Sequence, residues 1–248
     1  MSKRAMTLRI PMTLVAGCQA SWRLSTTDSR VAPRMVQRTR RAVLAASIFA
    51  SVVLTIWLGV SLARFVTEGW WLAVLIALPL GVATIDLLSG VVHWACDRFG
   101  DAGTPLLGPL LIRAFREHHV DPRQMIEHDW IETNGEPCFF SALALAMLAF
   151  LAPSVESGLG AAALALVWTM AAVGSWANQV HKWAHMSRAP TLAQFLQRVG
   201  LALRPDEHAC HHRAPHDSSY CISTGWMNPF LDRIGLWSWL ERSLRRTT

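Results

Sequence analysis

From Ala42 to Ala63 the chain carries no charged side chain, and a second apolar run, Trp70 to Cys96, contains only Asp86. Runs of this length cross about 30 Å of hydrocarbon at a helical rise of about 1.5 Å per residue. Lipid offers an open backbone no hydrogen-bond partner, so such segments fold as helices. Two more apolar segments follow, Pro137 to Ala152 and Leu159 to Val180. The third is short for a span, and a re-entrant or interfacial helix is its alternative. The expected fold is therefore all-α, an integral membrane protein with about four transmembrane helices. Composition agrees. Hydrophobic residues make up 52% and charged residues only 16%, and the mean hydropathy of +0.28 is high for a soluble chain.

Orientation follows from the loops. The connections at 65–69 and 153–158 contain no Lys or Arg, whereas the N-terminal region and everything after Val180 are rich in basic residues, nearly all of them Arg. The positive-inside rule then puts both termini in the cytoplasm, together with the segment 97–136. All ten histidines lie between His93 and His216, so this topology gathers them at one membrane face.

The net charge of +6 raises nucleic acid as a partner, but nine Lys and Arg residues fall within the first 41 positions, beside the first apolar run. A juxtamembrane basic arm over 1–41, interrupted by Pro11 and Pro33, explains them better and leaves 42–248 as the membrane-embedded domain. Val15-Ala16-Gly17-Cys18 looks like a lipoprotein cleavage site. Cleavage there would export the Arg-rich residues that follow, against the charge rule. The five cysteines form no Cys-x-x-Cys pair, which argues against a disulfide framework and for a reducing compartment.

Four histidines then fall within nine residues, at His208, His211, His212 and His216. Charged imidazoles repel one another, so this packing fits neutral rings on a shared cation. A solvated His-rich loop is the bland alternative. Elsewhere the spacing is helical. Asp86, Ser89, Gly90, His93 and Asp97 share one stripe of the second span, and Gly174, Asn178, His181 and His185 repeat the pattern on the fourth. An apolar stretch, Pro105 to Phe115, delivers His118 and His119, and fits an interfacial helix. Residues 191–203 and the stretch from Ile234 to Leu244 read as two more, so that a His-rich cap of interfacial helices lies on the cytoplasmic side. His128 and His216 complete the candidate ligands. Asp97, one turn beyond His93, and Asp86, deeper on the same stripe, are the candidate catalytic residues; Asp86 is expected to orient a ligand histidine, with a purely structural role as its alternative.

Donors that are nearly all imidazole suit zinc, copper or iron. The His-Glu-x-x-His motif of zinc proteases is absent. Ten histidines exceed a structural zinc site and suffice for two ions with open positions. A metal transporter would spread its ligands through mid-membrane and both faces. A haem carrier would leave most of the histidines unused.

The motifs also occur in a recognisable order. His93-Trp94, Phe115-Arg116-Glu117-His118-His119, Asp121-Pro122 and His128-Asp129 come first, followed by Glu132-Thr133-Asn134-Gly135 and Asn178-Gln179. After them stand His181-Lys182-Trp183, His185, His211-His212, Pro215-His216, Tyr220-Cys221-Ile222, Thr224-Gly225-Trp226 and Asn228. Over about residues 70–242 the chain resembles the lipid desaturases of the Kua/CarF type. Animal members have further histidines where this chain has Gly200 and Glu207, and the resemblance does not extend to residues 1–41.

The resemblance implies removal of two hydrogens from a lipid chain by a di-iron centre, with O2 as co-substrate and a phospholipid in the membrane as substrate. His93, His118, His119, His128, His181, His185, His208, His211, His212 and His216 are the ligands it implies. One branch of the family forms a vinyl ether from an alkyl ether chain, and another desaturates acyl chains, as on phosphatidylglycerol. Pro215-His216 and Thr224-Gly225-Trp226 look like the ether branch, and Glu207-His208-Ala209 like the acyl branch. The ether substrate is the expectation. Gly158-Leu159-Gly160 lies between spans rather than after a strand, so no dinucleotide fingerprint is present. A separate electron-donor protein of cytochrome or ferredoxin type, with its reductase, is expected, and the expected location is a bacterial inner membrane.

Overall fold

A computed structural model describes residues 34–245, and every regular element among them is a helix. The first, α1 (Arg34–Phe65), is followed by α2 (Trp71–Arg98). Both exceed the roughly 20 residues that a membrane crossing needs. Between them lies a π-turn, Val66–Trp70, in which Gly69 adopts φ 89°. A side chain there would be strained, and the glycine lets the helical path break. The expected basic arm over 1–41 lies outside the described residues up to position 33. Arg34–Arg40 are helical and exposed, with Thr39 Oγ1 donating to Met35 O (3.0 Å).

After α2 a π-turn at Gly108–Ile112 leads into α3 (Arg113–Val120), and a single turn, α4 (Gln124–Glu127), precedes α5 (Trp130–Leu151). The apolar segment expected from Pro137 belongs to a longer helix. Asp129 Oδ1 accepts from the amides of Ile131 and Glu132, while Glu132 Oε2 accepts from Asp129 N. This capping box starts the helix early, so Glu132-Thr133-Asn134-Gly135 is helical. With the 3-10 turn Ala152–Ser154 the apolar helix reaches 25 residues, long enough to cross a membrane.

The fourth segment differs from expectation as well. It forms α6 (Gly158–Gly174) and α7 (Ala177–His185), bent by 40° at Ser175–Trp176. The stripe expected from Gly174 to His185 therefore turns at its first step. Short helices complete the chain: α8 (Thr191–Arg198), α9 (Pro205–His211), α10 (Asn228–Arg233) and α11 (Leu236–Arg245).

The principal apolar core joins α1, α2, α5 and α6 through Leu58, Phe65, Val74, Ala77, Leu145 and Leu164. At Gly81 a Cβ would sit 2.7 Å from Thr169 Cβ and 2.8 Å from Leu166 O. Only glycine lets α2 and α6 approach so closely. Trp168 Nε1 donates to Thr55 O (2.9 Å) and ties α6 to α1. The outer faces are apolar too: Phe49, Ile56, Val60, Leu75, Phe140 and Phe150 are all exposed. Water would not tolerate such a belt, and lipid does. This is a membrane protein. At the far end of α2 a second core of Trp94, Tyr220, Cys221, Leu231 and Trp237 fastens the C-terminal segments.

Candidate metal centre

Four elements bring their histidines together. The last turns of α2 supply His93 and Asp97, α3 supplies His118 and His119, and α7 supplies His181 and His185. His208 and His211 stand on α9, and His212 is its C-cap. The side chains sort into two groups, in each of which the potential ligand atoms lie within 4.8 Å of one another. The first holds His118, His181, His185, His208 and His212, and the second holds His93, Asp97, His119 and His211.

In the first group the Nε2 atoms converge. His208 stands 2.7 Å from His185, 2.8 Å from His181 and 3.0 Å from His212, and His118 stands 2.9 Å from His185 and 3.1 Å from His212. Nitrogens that share an ion at about 2 Å lie no more than about 4 Å apart, so the spacing suits a common cation. The rings are neutral. Burial, reinforced by the neighbouring His185 and His212, pushes His118 down to about 2, and burial with His185 pushes His212 down to about 3. Burial likewise holds His208 well below the usual histidine range. An imidazole must be unprotonated to bind a metal, and this environment keeps it so.

The second group is decided by hydrogen bonds made on the far side of each ring. His93 Nδ1 lies 3.0 Å from Tyr220 O, and His211 Nδ1 lies 2.8 Å from Ser218 O. A carbonyl only accepts, so in both rings Nδ1 carries the proton and a neutral ring turns the Nε2 lone pair inward. Those two Nε2 atoms each lie 3.5 Å from Asp97 Oδ2, which also stands 2.9 Å from His119 Nε2. His93 Nε2 is buried without a hydrogen-bond partner. A lone pair on His93 Nε2 facing a carboxylate with no proton between them is repelled, and a cation removes the conflict. Both donor sets fit a divalent metal that favours imidazole, such as iron, zinc or copper.

The two groups adjoin. The rings of His119 and His212 are 5.1 Å apart, and those of His118 and His119 are 6.0 Å apart. Three residues expected at the centre stand elsewhere. His216 packs at the rim, its ring 4.8 Å from His119, with Nδ1 donating to His211 O (3.0 Å). His128 is exposed and outside both groups, and its carbonyl accepts from Lys182 Nζ. Asp86 is fully buried but touches no histidine. Its carboxylate accepts from the backbone amides of Thr224 (2.8 Å), Gly225 (3.0 Å) and Met227 (3.0 Å), so it anchors a loop instead of orienting a ligand.

Two supporting residues escaped the reading of the sequence. Arg98 donates from Nε to Tyr220 Oη (3.1 Å) and from Nη2 to His216 O (3.0 Å), bracing the segment whose carbonyls orient His93 and His211. It directly follows Asp97, and that adjacency was the one available signal. Asp232 accepts from Ser219 N, Ser219 Oγ and Trp237 Nε1 (3.1, 3.1 and 3.2 Å). No local pattern marks it.

Residues 82–248 match the family model described as the lipid desaturase domain. The chain belongs to the lipid desaturase family. It is 40% identical over 228 residues to the plasmanylethanolamine desaturase of Myxococcus xanthus, covering 89% of this chain and 78% of that protein. Plasmanylethanolamine desaturase 1 of Mus musculus is 37% identical, over 71% of this chain and 66% of its own length. The chloroplastic fatty acid desaturase 4-like 1 of Arabidopsis thaliana is 34% identical, over 70% and 57%. No solved structure matches the chain. Membership makes it an oxidoreductase, a membrane lipid desaturase whose two clustered donor groups suit a metal cofactor.

Proposed function

We propose that this desaturase removes two hydrogens from the alkyl ether chain of a phospholipid and leaves a vinyl ether. The observation that carries the reading is the pair of adjoining ligand groups, five imidazoles beside three imidazoles and a carboxylate, at the C-terminal ends of apolar helices. Two iron ions fit those donors, held by His118, His181, His185, His208 and His212 on one side and by His93, Asp97, His119 and His211 on the other. When bound, they supply the oxidising power of dioxygen. The change balances as R–O–CH2–CH2–R′ with O2, two electrons and two protons giving R–O–CH=CH–R′ and two waters.

The protein's part is to hold and orient. Burial keeps His118, His208 and His212 neutral, and the carbonyls of Ser218 and Tyr220 set the tautomers of His211 and His93. The electrons come from a separate donor protein of cytochrome or ferredoxin type. The relatives from Myxococcus and mouse support the ether substrate, and the chloroplast relative supports acyl desaturation as the second reading. The break at Gly69, the lengthened α5 and the bent α6–α7 pair support four crossings, and the absence of Lys and Arg from the connections at 65–69 and 153–158 supports a centre on the cytoplasmic face.

A vinyl ether releases a fatty aldehyde in mild acid, and an ordinary alkene does not. Expression in a host supplied with alkyl ether phospholipid, oxygen and a competent donor is expected to yield acid-released aldehyde. A new double bond in phospholipid acyl chains without aldehyde would replace this reading by the second one.

A further inference from the structure

Asp97 is the one carboxylate in the second ligand group, and its own main chain does most to set its place. Oδ2 stands 2.9 Å from His119 Nε2 and 3.5 Å from the Nε2 atoms of His93 and His211, all members of the same group. Oδ1 is buried without a hydrogen-bond partner. Among the described residues no side chain outside the group orients this carboxylate, so it goes where its helical turn goes.

That turn is the last of α2, and a helix end leaves its final carbonyls without amide donors. Arg116, half-buried on α3, supplies them. Its Nε donates to Cys96 O (3.2 Å), and its Nη2 donates to Phe99 O (3.2 Å) and Gly100 O (2.6 Å). Cys96 O belongs to the planar peptide unit whose nitrogen is that of Asp97, so the first bond fixes the plane next to the Asp97 side chain. The guanidinium charge also meets the negative end of the α2 dipole. From the same turn Arg98 reaches the other way, to Tyr220 Oη and His216 O. Asp97 is thus held between two arginines. Arg98 ties it to the segment that orients His93 and His211, and Arg116 ties it to the helix that carries His119.

The effect of Arg116 falls on one ligand group. α2 contributes His93 and Asp97 to the second group and nothing to the first. α3 has other supports: the Phe115 ring lies 4.9 Å from that of His93, and His118 is buried, its ring 4.5 Å from those of His181 and His185. Breaking the three bonds therefore releases the last turn of α2, and with it Asp97, while the five imidazoles of the first group stay packed.

We infer that Arg116 is the positioning residue of the second metal site: by capping the end of α2 it fixes Asp97 against His119. The inference rests on the reading of two metal-binding groups and adds the residue that builds one of them.

The test uses the full chain in detergent, freed of metal and titrated with cobalt(II) against a competing chelator. The wild type is expected to take up two ions. In Arg116→Gln one ion is expected to be held about 10–100-fold more weakly and the other as in the wild type. Arg116→Lys, whose ammonium lacks the fixed fork that spans three carbonyls, should fall between them. Asp97→Asn is expected to weaken the same ion. Combining it with Arg116→Gln should cost no more than Asp97→Asn alone, because a residue that acts through Asp97 then has nothing left to position. A merely structural arginine would weaken both ions equally and give losses that add. Either result overturns the inference, and so does unchanged retention in Arg116→Gln. Should Arg116→Gln fail to fold, Arg116→Lys decides by the same comparisons. Fewer than two ions in the wild type would instead overturn the two-group reading itself.

Discussion

His118 and His119 are neighbours in the chain, yet their Nε2 atoms enter different ligand groups: His118 lies 3.1 Å from His212, and His119 lies 2.9 Å from the carboxylate of Asp97. Consecutive side chains on a helix point about 100° apart, so one His-His pair on α3 contributes to both groups. His211 and His212 do the same from the end of α9. The two groups are therefore locked to each other by short rigid elements.

That arrangement predicts separable metal loss. His118→Ala removes a donor from the first group alone, and His119→Ala removes one from the second. Each variant is expected to fall from about two metal ions per chain to about one, measured by elemental analysis of purified protein, with activity abolished in both. Loss of both ions in each variant would show that the groups cannot fill independently.

Asp232 touches no ligand, but it clamps Ser219 between the two residues whose carbonyls hold His211 and His93. Asp232→Ala is expected to weaken metal retention by about 10–100-fold, the usual cost of losing support behind a ligand. Titration of the purified protein with a competing chelator reads this directly. Retention equal to wild type would mean that the loop holds its shape without the clamp.

Asp86→Ala leaves three backbone amides unsatisfied, two buried at Thr224 and Gly225 and one half-buried at Met227. Each orphaned group costs about 1–3 kcal/mol. The variant is expected to unfold at a markedly lower temperature in detergent and to become sensitive to proteolysis near Gly225. Asp86→Asn, which keeps one acceptor oxygen, should fall between the two. Unchanged stability with lost activity would restore a direct role for Asp86 at the centre.

Acid should destabilise the metal-free protein. His118, His208 and His212 titrate far below an unfolded histidine, so the folded state binds fewer protons than the unfolded state as pH falls through the ordinary value of about 6.5. The stability they contribute is present above that pH and is lost progressively below it, down to about 3 for His212 and about 2 for His118. Thermal unfolding of the metal-free protein between pH 7.5 and 5 is expected to show a falling midpoint. Replacing His212 by Gln should flatten the slope.

Much of this architecture is written in local pattern. Apolar runs around Ala42–Ala63 and Trp70–Cys96 fold as helices because lipid leaves the backbone no other partner. The spacing of His93 and Asp97, and of His181 and His185, follows from 3.6 residues per turn. Those signals depend on near neighbours, and they were legible. What tertiary structure alone decided were the long-range partners. Asp86 shares a stripe with His93, yet its carboxylate meets amides 138 or more positions away. His128 stands among the motifs but packs outside both groups, and Asp232 has no motif and braces the centre. A side chain's partner is set by which segments the fold packs against it. Periodicity names the face of a helix and leaves open what that face will meet.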